Sequence, residues 1–483
     1  MHTRVSINVK TRCCVAAILL SVLLLPVPLH AYFGILEDPF ATQPDRLRTG
    51  ATLPDGSPIA SPFSVDLSRP LELGEAIDVA LCNNPQISSA WAAIKIQAGV
   101  LGEARAAYFP TMKVSISRLG NWTSSSSPNG AADSFRLGNQ AYGTLTLRLL
   151  DLGERRANNY AAGQMLVAAM AAHDASLQKT MSGVIQAYFD AVTAQSHYIS
   201  SRKMAEIAES IFAATKRREQ RGAAPLSDAL QASTALAKAR LNESRAEGDF
   251  NKSLSLLVQV MGLAPGTNLC LPQKLEFYRV DEVKALESWL REAEEQHPAI
   301  RQARAKLDAD KAKIAVVRSE GLPSLDATAY VSMNGYPNQG LSFNNQSVTA
   351  AGIMLNLPIF DGFARTYRIR SAKAQAEQSE AQLQDTTNQI LTEVVKAHAD
   401  ALTSLGTLKA SERLMEAATQ GLHSSLRRYE RHAADILEVL NSESALADAE
   451  QERIRAIAEW RSARLRLLAN SGLLGHTDLL QER

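Results

Sequence analysis

Leu383, Ile390, Val394, Ala397, Ala401, Leu408, Met415, Leu422 and Leu426 fall mostly three, four or seven positions apart, the spacing that lines one stripe of an α-helix. Met170, Leu177, Met181, Val184, Tyr188 and Val192 form a similar stripe earlier in the chain. That earlier stripe lies in an uninterrupted helical run from Glu154 to Arg221. At 1.5 Å per residue such a run would reach about 100 Å. A seam of this length predicts helices packed along one another, knobs into holes, in place of a globular core. A second helix, Leu226 to Met261 or Ile436 to Ala469, is expected to fold back through the turns Arg221 to Pro225 and Arg431 to Asp435. No proline occurs between Pro128 and Pro225 or after Pro358. Long helices require this, because an interior proline costs about 3 kcal/mol.

Elsewhere the period changes to two. Met112 to Ser117 and Gly143 to Leu149 alternate apolar with polar side chains, which predicts strands with one greasy and one wet face. The Ser-, Asn- and Gly-rich stretch from Asn121 to Asn139 is expected to be the loop between them. Asp326 to Ser332 and Ala351 to Ile359 repeat the pattern less cleanly around Asn334 to Gln346. Strands of this kind suit soluble hairpins and membrane walls equally.

The order of parts repeats. Pro85 and Pro110 reappear as Pro298 and Pro323, shifted by 213 residues. Asp151, Arg217, Arg218, Asp228, Leu230, Phe250 and Gly262 correspond at a shift of 210 to Asp361, Arg427, Arg428, Glu438, Leu440, Trp460 and Gly472. The chain therefore divides into a Pro-rich lead-in (32–70), a first unit (71–262), a linker (263–283), a second unit (284–472) and a tail (473–483). In each unit short helices, the second opening at Pro85 or Pro298, precede two strands (within 111–150 and 324–360) and a long hairpin (154–261 and 364–470).

Composition refines this picture. Aromatic residues are only 6% while Ala, Leu, Gln, Glu and Arg abound, a vocabulary of long helices. With 51 basic against 50 acidic residues the chain lacks the excess charge that nucleic-acid binding needs. Arg4, Lys10 and Arg12 followed by the apolar run Val15 to Leu25 read as an export signal, residues 1–31, with cleavage expected after Ala31. Cys13 and Cys14 precede that run, so no cysteine stands where lipoprotein acylation would need one. Cys82 and Cys270 remain, either paired or as two buried thiols. His173, His197, His398 and His423 are scattered along the long helices and read as facing solvent or a seam. HExxH, GxSxG, phosphate-loop and CxxC patterns are absent, so no catalytic residue, metal ligand or cofactor is expected.

Four strands cannot close a barrel, and an open sheet edge cannot sit in lipid. If these strands face lipid, several copies must share one barrel. Two copies would give eight strands and a filled bore, three would give twelve and a channel, so a homotrimer is the smallest assembly with a useful pore.

Asn84-Pro85, Tyr108-Phe109-Pro110, Leu357-Pro358-Ile359-Phe360-Asp361-Gly362, Arg428-Tyr429, Asp435 to Leu440, Gly472 and Asp478-Leu479-Leu480 occur in the order and register of the outer membrane efflux protein family. The chain resembles that family, typified by TolC, from Leu71 to Leu480. The resemblance implies a mainly α protomer with four membrane β-strands. Three protomers would form a twelve-stranded outer-membrane barrel on an α-helical periplasmic tunnel. It also implies an exit duct for secreted protein or small toxic compounds. Its partners would be a periplasmic membrane-fusion (adaptor) protein, an inner-membrane ABC or RND transporter, and outer-membrane lipid.

By the same resemblance Glu438 and Asn441 occupy the pore aperture, where converging Glu438 carboxylates would attract cations. Asp228 and Tyr429 take the places of the closed-state latch. The latch arginine is replaced by Ala434, with Arg431 near enough in sequence to substitute, and His432 replaces a turn glycine. Tyr108, Trp122 and Tyr330 are candidates for an interfacial aromatic girdle. The competing reading is a soluble periplasmic coiled-coil adaptor or scaffold, whose strands would form small soluble β-domains.

Overall fold

A computed structural model describes residues 38–42, 69–127, 130–222, 225–272, 284–334, 346–431, 433 and 436–474. The expected export signal and most of the lead-in, linker and tail lie outside them. The elements in chain order are α1 (Leu73–Asn83), α2 (Pro85–Ala106), β1 (Thr111–Ser127), β2 (Gly130–Leu150), α3 (Glu154–Gln220) and α4 (Leu226–Val260). They continue with α5 (Leu286–Gln296), α6 (Pro298–Ser319), β3 (Ser324–Asn334), β4 (Gln346–Asn356), α7 (Ala364–Glu430) and α8 (Ile436–Asn470). The two halves match in helix length: 11 residues in α1 and α5, 22 in α2 and α6, 67 in α3 and α7, and 35 in α4 and α8.

The seam residues turn inward as their spacing requires. Leu177, Met181, Val184, Tyr188 and Val192 on α3, and Val394, Ala397, Ala401 and Leu408 on α7, are buried. α3 packs on α4 and α8 and α7 on α8, so four helices run side by side in the order α4, α3, α8, α7. Nearer the sheet the neighbours change: α2 and α6 both lie on α3, and α6 also lies on α7. α1 packs over α3 beside the ends of α4 and α8, and α5 over α7 and α8, forming two apolar clusters.

The change of neighbour happens at a glycine. Gly262, just past α4, has φ 71°, and a Cβ there would lie 2.8 Å from the carbonyl oxygen of Asn83. Gly472, just past α8, has φ 77°, and its Cβ would lie 3.0 Å from the Cα of His297. Each long return helix thus butts against the start of a 22-residue helix that continues its line toward the sheet. α4 and α2 together place 57 residues beside the 67 of α3. The junctions are capped alike: Asn84 Oδ1 accepts from the Gln86 N–H at 2.8 Å and His297 Nδ1 from the Ala299 N–H at 3.2 Å, each followed by proline in the first helical turn.

All four strands form one antiparallel sheet, β1-β2-β3-β4. Residues 121–127 and 130–139, expected as a loop, are instead strand: β1 and β2 continue as a two-stranded ribbon for ten residue pairs beyond the rows that include β3, from Arg118↔Asn139 to Ser127↔Gly130. Its Ser, Asn and Gly residues hide it from an alternation test, because that test reads regularly spaced apolar side chains and few occur there. β4 ends at Asn356, short of the 360 expected. Cys82 is half-buried and Cys270 exposed; the two form no disulfide, and Cys270 is not the buried thiol considered as the alternative.

Burial pushes the His297 imidazole, only 7% exposed, down to about 4. The native state therefore holds it neutral, and the stability this represents is complete above pH 6.5 and drains as pH falls from 6.5 toward 4. The loss amounts to roughly 2–3 kcal/mol. His297→Asn, which copies the cap of Asn84, should abolish that component of acid sensitivity. Thermal midpoints of the detergent-solubilised protein between pH 7.5 and 4 measure it; parallel decline of wild type and variant would refute the assignment.

Candidate functional site

Residues that face each other across the sheet share a side, so the pairing register sorts the side chains into two faces. One face carries the rows Met112-Leu145-Ala329-Ala351, Val114-Gly143-Val331-Thr349, Ile116-Ala141-Met333-Ser347, Leu147-Ala327-Ile353 and Leu325-Leu355. The other carries Thr111-Thr146-Thr328-Gly352, Lys113-Thr144-Tyr330-Ala350, Ser115-Tyr142-Ser332-Val348 and Arg148-Asp326-Met354. No helix covers the apolar face: Met112 is 71%, Ile116 80% and Ile353 69% exposed. β1 and β4 leave open edges. Trp122 pairs with Phe135 on the ribbon, ring centroids 5.6 Å apart, both exposed. Tyr330 lies on the polar face beside Tyr142, at 6.1 Å, which removes it from a lipid-facing girdle. Tyr108 lies below the sheet under the Arg155 guanidinium, 4.9 Å away.

Polar groups weld the sheet to the helices at its foot. Arg148 donates to Asp326 at 3.0 Å and to Glu154 at 3.3 Å, and Asn356 donates to the other oxygen of Asp326 at 2.9 Å. At the passage from β2 to α3, Asp151 accepts from the Arg155 backbone N–H at 3.0 Å and from its guanidinium at 2.6 Å. Burial pushes the Asp151 carboxyl up, but these hydrogen bonds outweigh burial and leave it below the usual carboxylate range. The passage from β4 to α7 copies the backbone contact, with Asp361 accepting from the Arg365 N–H at 2.8 Å. Leu152, Gly153, Gly362 and Phe363 all take positive φ at these two corners.

At the opposite end the two hairpins turn. Asp228 stands in the first turn of α4, takes a 3.1 Å hydrogen bond from Ser227 Oγ, and lines a cavity of about 20 Å³ with Ile211, Thr215, Leu437 and Leu440. The structure thus brings Asp228 of one hairpin beside the α8 turn that carries Glu438. The Glu438 carboxylate points elsewhere: Arg428 Nη1 donates to it at 2.5 Å, and Nη2 donates to the Ala433 carbonyl at 3.4 Å. The Arg428 carbonyl in turn accepts from the Ala433 N–H at 2.8 Å. Asn441 is exposed one turn further along α8. Arg431 is exposed, and among the described residues no ion pair joins it to Asp228. The Tyr429 side chain, His432, Ala434 and Asp435 lie outside the described parts. Burial raises the Glu443 carboxyl, a little beyond Glu438 on the same helix.

Arg428 is the member of this end that sequence reasoning left out of the site. The available signal was its position, ten residues before Glu438 across a short turn, which lets a long side chain reach from the last turns of one helix to the first turn of the next.

The family described as Outer membrane efflux protein matches residues 76–263 and 289–473. Protein CyaE of Bordetella pertussis is 34% identical over 419 residues, covering 86% of this chain and 87% of that protein. The alkaline protease secretion protein AprF of Pseudomonas aeruginosa is 23% identical over 304 residues, covering 62% of this chain and 63% of its own length. Among solved structures, the Campylobacter jejuni CmeC outer membrane channel superposes with a TM-score of 0.70 at 19% identity, covering 85% of this chain and 88% of that one. With the family matched over most of its length and CyaE 34% identical across 86% of it, the chain belongs to the outer membrane efflux protein family.

Proposed function

We propose that this chain is the outer-membrane exit duct of a protein-secretion system and works as a ring of three copies. The carrying observation is the sheet, whose uncovered apolar face suits lipid, whose polar face suits a water-filled lumen, and whose two edges lack partners. Joining β1 of one copy to β4 of the next satisfies the edges, and three copies give twelve strands, enough for an open bore. A soluble adaptor or scaffold would leave the same apolar rows in water, where patches of this size drive association. The hairpins leave the foot of the sheet together and would prolong the bore into the periplasm as a tunnel, with α4 and α7 at the protomer margins. Transport through such a duct requires no bond to be made or broken in the cargo.

Protein is favoured as cargo over small toxic compounds by the relatives, since AprF is named for the secretion of a protease. That reading makes the partners a periplasmic adaptor and an inner-membrane ABC transporter, with an RND transporter as the efflux counterpart. Glu438 and Asn441 are placed at the periplasmic aperture, and Asp228 with Tyr429 forms the latch between the hairpins. Arg431 is the weakest member of that set, for want of a contact with Asp228.

Fractionated cells should yield the protein in the outer membrane as a detergent-soluble trimer; a monomer soluble without detergent would end the duct reading. Asp228→Ala should raise single-channel conductance in planar bilayers severalfold by loosening the contact between hairpin tips. Conductance equal to wild type would mean that other residues hold the tip closed.

A further inference from the structure

Glu438 is assigned to the aperture by its correspondence in the matched family, and that assignment rests on the duct reading above. The structure adds that its carboxylate is not bare. Arg428 reaches it from the last turns of α7 at 2.5 Å, with the second guanidinium nitrogen on the Ala433 carbonyl and its own carbonyl tied to the Ala433 N–H. Three contacts therefore fix Arg428 across the turn, and two of them are independent of Glu438.

We propose that Arg428 is a specificity-determining residue that cancels the charge of Glu438 at the duct mouth in both its closed and its open state. Both partners belong to one hairpin, on α7 and α8, so moving hairpins apart to open the tip leaves the pair intact. A contact between Asp228 and the second hairpin, by contrast, must break on opening. The pair is partly exposed, Arg428 55% and Glu438 39%, so the bond itself contributes little to stability. Cancellation does not depend on that bond energy. Even with the hydrogen bond stretched, the Nη2 contact with the Ala433 carbonyl keeps the guanidinium within the roughly 8 Å over which charges are felt at physiological salt.

With Asn441 uncharged one turn further on, the Arg428–Glu438 pairs in a ring of such tips contribute no net charge at this level. A ring of bare carboxylates would attract cations and hinder acidic segments of a threading polypeptide. A cancelled ring admits unfolded chain segments of either sign, which suits a protein cargo better than a cation-selective filter would.

The test is the reversal potential under a KCl gradient for purified protein in planar bilayers. Arg428→Ala should raise the permeability ratio of K⁺ to Cl⁻ by about threefold or more, because it uncovers three carboxylates. Glu438→Gln should shift it toward Cl⁻ by uncovering three guanidinium groups. The double variant should return to the wild-type ratio, and Arg428→Lys should stay near it. Channels of Arg428→Ala that keep the wild-type ratio would overturn the proposal. Glu438→Gln at the wild-type ratio would do the same, should Arg428→Ala not assemble. If the wild-type protein forms no channels at all, it is the duct reading that fails and not the role of Arg428.

Discussion

The length of this protomer depends on two contacts in which one partner has no side chain. At Gly262 and Gly472 a 35-residue helix ends against the first turn of a 22-residue one, close enough that a Cβ would strike backbone. The glycines supply both the room and the left-handed backbone that stops the return helix. Because α4 is continued by α2, and α8 by α6, the long helices α3 and α7 are flanked over most of their length. A 67-residue helix left half bare would expose an apolar seam; two shorter helices set end to end cover it.

The same arrangement explains the division of labour between the ends. At the foot of the sheet, buried or half-buried carboxylates are over-satisfied: Asp326 by Arg148 and Asn356, Asp151 by the backbone and side chain of Arg155. Such networks hold strands and helices in one orientation. At the tip, among the described residues, Glu438 and Arg428 are partly exposed and meet through single side chains. Arg428 and Glu438 keep one hairpin's turn together, while Asp228 and Thr215 of the neighbouring hairpin line a small cavity with Leu437 and Leu440.

The duplication ties these features together. Corners with positive φ, an aspartate accepting from the N–H four residues on, an N-cap followed by proline, and a terminal glycine all occur twice. Where the two copies differ, the difference is informative. Asn84 corresponds to His297, a buried titratable cap, and Asp228 to Glu438, whose carboxylate accepts from Arg428.

What the sequence determined by itself was everything written in local periodicity and in the repeat. The three-and-four seam specified the long helices, prolines and glycines marked their ends, and the constant shift of 210 residues showed that the hairpins are equivalent. Alternation at Met112–Ser117 located the strands, while their exposed apolar rows in the folded chain distinguish a membrane wall from a soluble hairpin. The ribbon of residues 118–127 and 130–139 had no such signature, since Ser, Asn and Gly interrupt any apolar alternation there, and only backbone pairing revealed it. The tertiary structure alone decided which carboxylates have partners. Arg428 and Glu438 meet because a turn reverses the chain between them, and no spacing rule for a single helix contains that contact.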